Sequence, residues 1–89
     1  VVDRRADAQR QKELNERLRP LKKELAQVEQ RMAQLGEQRS RIEAELMATQ
    51  DPARLAQAGR ELKAIDQENS ELEGRWLELT EAIEQPAIP

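Results

Sequence analysis

Leu14, Leu18, Leu21, Leu25, Val28, Met32, Leu35, Ile42 and Leu46 follow one another in steps of four and three, and only Arg39 interrupts them. That spacing keeps the a and d positions of one heptad frame apolar over more than four heptads, which predicts a long amphipathic helix of the coiled-coil type. A second frame runs through Leu55, Ala58, Leu62, Ile65, Leu72, Trp76, Leu79 and Ile83, with Asn69 as its one strongly polar member. Between the two lies ATQDPAR. There Asp51 is placed to cap a helix and Pro52 suits its first position, where no N–H donor is needed. Two helices joined by so short a link must be antiparallel neighbours, because a parallel return needs a crossover as long as the helix itself. The predicted fold is all-α, a two-helix antiparallel coiled-coil hairpin.

Pairing a on one arm with d on the other sets Leu46 against Ala58, Ile42 against Leu62, Met32 against Leu72, Val28 against Trp76 and Leu25 against Leu79. A slip of one heptad is the competing register. In the first register Trp76 is a core residue, Arg39 faces Ile65 and Asn69 faces Leu35. The two polar residues either fix the register from inside the seam or reach out of it to water. Gly36, Gly59 and Gly74 each cost roughly 1 kcal/mol inside a helix, so moderate stability is expected.

Pro20 falls at a solvent-facing c position. It either kinks a continuous helix or marks where the main helix begins; Leu14 and Leu18, in phase with Leu21, favour the kink. The expected organisation is a basic lead-in over 1–19, helical or partly frayed, and a hairpin over 20–85. Its first helix runs to about 49, its tip spans about 49–52 and its second helix about 52–85. A loose tail over 86–89 follows Pro86.

Composition narrows the chemistry. Of 89 residues 37% are charged and Trp76 is the one aromatic, as in long helices rather than mixed sheets. The chain has no cysteine and no histidine, which argues against thiolate metal sites, disulfides and the commonest acid–base catalysis. No phosphate-binding loop, dinucleotide fingerprint or zinc-protease motif occurs, so no catalytic, metal or cofactor site is expected in these residues. No apolar run approaches the roughly 20 residues of a membrane span, and a cytoplasmic protein is expected. The first residue is Val1, which suggests a piece of a longer protein with further motifs upstream.

Charge is distributed unevenly. Residues 1–23 hold eight Lys/Arg against four Asp/Glu, net +4, while 24–89 hold seven against fourteen, net −7. Arg5, Lys12 and Arg19 recur every seven residues at b, and Lys22 and Lys23 extend that side. Such a row suits phosphates, through contacts that release counterions and are largely blind to sequence. The competing view is a solubilising face whose bases pair with Asp7, Glu13 and Glu16 at helical spacing.

The stretch RRADAQRQKELNERLRPLKKELAQVEQRMAQL, the acidic and proline-bearing break, and LKAIDQENSELEGRWLELTEAIE together resemble the C-terminal domain of ATP-binding cassette proteins of the F class, the Uup and YheS type. The resemblance implies a soluble parent protein with two ATPase cassettes that use ATP and Mg upstream, acting on ribosomes. It also implies a hairpin that binds nucleic acid, either DNA, as in the Uup branch, or ribosomal RNA. The basic positions that correspond are Arg10, Lys12, Arg17, Arg19, Lys22 and Lys23; the net acidity of the chain departs from a tight DNA binder. The alternative function is a protein-interaction or spacer hairpin, monomeric or weakly self-associating, that docks on its own ATPase cassettes or on a partner helix. A structural hairpin from an unrelated coiled-coil protein is a third.

Overall fold

A computed structural model describes residues 3–85 as two helices, α1 over Arg4–Ala48 and α2 over Pro52–Glu84. The tail expected over 86–89 lies outside the described residues. Asp3 caps α1 by accepting from the backbone N–H groups of Arg5 (3.1 Å) and Ala6 (3.4 Å). Asp51 caps α2 through the N–H of Ala53 (3.1 Å), with Pro52 in the first turn. Only Thr49, Gln50 and Asp51 separate the helices, so the chain reverses at once and the arms lie side by side in a rod with a long axis of 75 Å. Helix α1 passes through Pro20 without a break. The proline is exposed, so the carbonyl it leaves without a donor turns to water instead of the seam.

The arms differ in length, 45 residues against 33. Because both start from the same tip, α1 outruns α2 by the difference of twelve residues, about 18 Å of helix. This overhang is the first quarter of α1. From Arg4 to Arg17 every residue is exposed except Ala6 and Leu14, which are half-buried.

The core is a line of d residues. Val28, Leu35 and Ile42 of α1 and Ala58, Ile65 and Leu79 of α2 are buried, joined by Leu18 at an a position. Leu35, Ile42, Ala58 and Ile65 form one cluster, against which Leu46, Leu62 and Leu72 pack. The a positions drift to the edge of the seam, since two helices bury only one side of each stripe. Trp76 departs furthest from expectation: instead of a core residue it is 38% exposed, and the seal beside it is Leu79 at 1%. Its ring is too large for a half-covered a site, and its Nε1–H donates to Glu29 Oε1 at 3.3 Å on the rim. Arg39 likewise reaches out of the seam, pairing with Asp66 on α2 and, through Nε at 3.0 Å, with Glu43 on its own helix.

The three glycines carry no conformational need. None has positive φ, and a Cβ added at Gly36, Gly59 or Gly74 meets nothing within 4 Å. Replacing all three by alanine is expected to stabilise the hairpin by about 2 to 3 kcal/mol in total, read as a higher thermal midpoint in circular dichroism. An unchanged midpoint would mean that these positions are not helical in solution.

Candidate nucleic-acid interface

Helix periodicity divides the seven basic residues singled out in the sequence into two rows. Arg5, Lys12 and Arg19 stand at b, about 10.5 Å apart along the axis, on the side of α1 turned away from α2. Lys23 lies beside that row and Lys22 at its edge. Arg10 and Arg17 are not part of it: both occupy g, about 150° round the helix. All seven side chains are exposed. Arg5, Arg10 and Lys12 stand on the overhang and Arg17 at its inner end, while Arg19, Lys22 and Lys23 sit where α2 begins to cover α1.

Ion pairing separates this end from the rest of the rod. In the shaft, Arg31, Arg39, Arg41, Arg54 and Arg75 hold carboxylates, and among the described residues Arg60 and Lys63 do not. Among the described residues, by contrast, only Arg10 of the seven candidates is paired, to Asp7 at 3.2 Å. Glu13 accepts instead from Gln9 Nε2 (3.2 Å), and Gln11 donates to Asn15 Oδ1 (3.2 Å), so the amides of the overhang are engaged within the helix. Arg4, which sequence reasoning left out, is also exposed and, among the described residues, holds no carboxylate.

A feature the apolar pattern did not show is the ladder of g positions along one side of the seam. Arg31 grips Glu68 through two hydrogen bonds (2.6 and 2.9 Å), and Arg75 grips Glu24 in the same way (2.5 and 2.8 Å). Arg54 binds Glu45 across the tip and Glu61 along its own helix. The signal was present as a second heptad series, Glu24, Arg31 and Glu45 against Arg54, Glu68 and Arg75, with opposite signs meeting only when the arms are antiparallel. Arg10 and Arg17 continue that series into the overhang. The same spacing places Arg10 beyond the end of α2 and sets Arg17 opposite Ala82, which offers no carboxylate.

Hydrogen bonds from Arg75 and Arg31 hold the carboxyls of Glu24 and Glu68 below the ordinary value of 4.5. A lowered folded value stabilises the hairpin above 4.5 and is lost as pH falls through it; the arginines, shifted upward, do not titrate in an accessible range. Thermal midpoints are therefore expected to stay level from pH 7 to 5 and to fall below about 4.5. Glu24→Gln with Glu68→Gln should remove part of that fall, and an identical acid profile would show the two bridges to be idle.

Fold and charge thus define a class: an antiparallel two-helix coiled coil with one arm extended into a free basic helix. Residues 18–81 match the family of the ABC transporter C-terminal domain, and the chain belongs to that family. The match starts at Leu18, the first buried leucine, so it covers the paired shaft and leaves most of the overhang outside. No curated protein and no solved structure matches the chain. Among the described residues no helix is long and apolar enough to cross a membrane.

Proposed function

We propose that this domain is the nucleic-acid-binding appendage of a cytoplasmic F-class ATP-binding cassette ATPase, with α1 from Arg4 to Lys23 as the element that meets phosphates. The observation that supports this is the segregation of charge: exposed bases without carboxylate partners gather at one end, while the arginines of the shaft are mostly neutralised. A row of cations at seven-residue spacing neutralises several phosphates along one backbone and releases their counterions, which is favourable at low salt and fades as salt rises. With the nearby amides paired along the helix surface and no aromatic side chain on the overhang, the contact reads backbone charge rather than base identity. The chemistry of such a protein resides in upstream cassettes that use ATP and Mg, and the hairpin serves them as a targeting arm.

The test is an amide NMR titration of the 89-residue chain with a short DNA duplex and with a ribosomal RNA hairpin, at low and physiological salt. Shifts confined to residues 4–23 that weaken with salt are the expected result. If a folded hairpin shows no shift with either ligand, the bases only solubilise the domain, which is then an arm that docks on protein, its own cassettes included.

A further inference from the structure

The flank of α2 around Trp76 carries a second, unrelated surface. Trp76 is 38% exposed and Leu77 beside it 53%, so the one aromatic of the chain and a leucine stand together in solvent. The polar atoms there are already satisfied: Trp76 Nε1 donates to Glu29 (3.3 Å), and Thr80 Oγ1 donates back to the carbonyl of Trp76 (2.5 Å). What faces outward is therefore apolar.

Around this patch Glu29, Glu73, Glu81 and Glu84 are exposed, and among the described residues none of them is paired with a base. Elsewhere on the shaft Glu24, Glu45, Glu61 and Glu68 each hold an arginine. An apolar face rimmed by uncompensated carboxylates repels phosphate, so Trp76 does not extend the basic end as a stacking platform. Its complement is a cation carried on an apolar helix face: an aliphatic side chain over Leu77, a guanidinium on the indole face, and further bases at the rim.

We propose that the Trp76–Leu77 flank docks an arginine-bearing amphipathic helix of a partner protein. A second copy of this chain is a poorer occupant. Its longest run of free cations is on the overhang, where among the described residues Leu14 is the one large apolar side chain and the neighbouring seam positions are Arg4, Asp7 and Gln11. That helix cannot place two apolar anchors on Trp76 and Leu77 together. The inference does not depend on the nucleic-acid reading, since it uses the opposite sign of charge and a different helix.

The probe is a labelled helical peptide built of leucine and arginine at helix-face spacing, with a glutamate-for-arginine peptide as control. The arginine peptide is expected to bind and to shift the emission of Trp76, which the control leaves unchanged. Binding, read by anisotropy, should weaken about tenfold in Trp76→Ala and several-fold in Leu77→Ser, which leaves the seam untouched. Equal binding to these variants, or binding without change in Trp76 emission, would overturn the proposal as mere charge attraction. Absence of binding would also overturn it, as would a dimer in sedimentation that already buries Trp76.

Discussion

Lys12→Glu combined with Arg19→Glu is expected to weaken binding to a DNA duplex or ribosomal RNA hairpin roughly thirtyfold near 0.1 M salt, and to flatten the dependence of log affinity on log salt by about 1.8. The flattening follows from losing two phosphate contacts, each of which releases close to one counterion. Both residues are exposed at b and, among the described residues, hold no ion pair, so helicity and thermal midpoint should be unchanged. The informative control is Arg60→Glu with Lys63→Glu. These bases are also exposed and free of ion pairs, but they lie on the shaft. If the phosphate surface is the b row of α1, the control leaves affinity nearly unaltered although it changes net charge by the same amount. Equal losses in the two variants would mean that the ligand senses only total charge. Arg10→Glu with Arg17→Glu asks a further question, because that row lies on the other side of α1 and Arg10 is already held by Asp7. A smaller loss there identifies the outward row as the principal contact.

Much of this molecule was legible in its apolar periodicity. Steps of three and four from Leu14 to Leu46, and again from Leu55 to Ile83, specify two helices; Asp51 and Pro52 specify where the second starts. Burial was less legible, because a heptad frame treats a and d as equivalent. In a two-helix seam they are not: Leu35, Ile65 and Leu79 at d are covered, whereas Trp76 and Arg39 at a find an open edge and a carboxylate beyond it. The overhang was visible as a basic lead-in ahead of the hairpin and as an imbalance of charge. Counting back from the tip along arms of 45 and 33 residues turns that imbalance into geometry, since α2 ends before it can offer a carboxylate to Arg10. The unpaired state of the Trp76 rim was likewise beyond reach of composition. It depends on which glutamates the shaft arginines choose, and the ladder assigns Glu24, Glu45 and Glu68 while passing over Glu29 and Glu73.

Leu35→Ala is expected to have the largest effect on the fold. Leu35 is 2% exposed at the centre of the cluster with Ile42, Ala58 and Ile65, so truncation removes buried methyl groups where the second helix crosses. Leucine-to-alanine changes in closed cores cost about 2 to 5 kcal/mol. Here the seam is open on one side and water can enter part of the void, which places the cost near the lower end, about 2 to 3 kcal/mol. For a domain of this size that corresponds to a thermal midpoint lower by roughly 10 to 20 °C. Leu55→Ala supplies the contrast: the residue is 40% exposed near the tip and should lower the midpoint by only a few degrees. Equal shifts in the two variants would show that the arms are not held by the d line. Because the overhang makes no contact with this cluster, its own response separates the two parts of the domain. Amide exchange over residues 4–15 should be fast in the parent and nearly unaltered by Leu35→Ala, while protection over 28–42 and 58–72 collapses. That pattern would establish the shaft as the cooperative unit and the basic helix as an extension that opens independently of it.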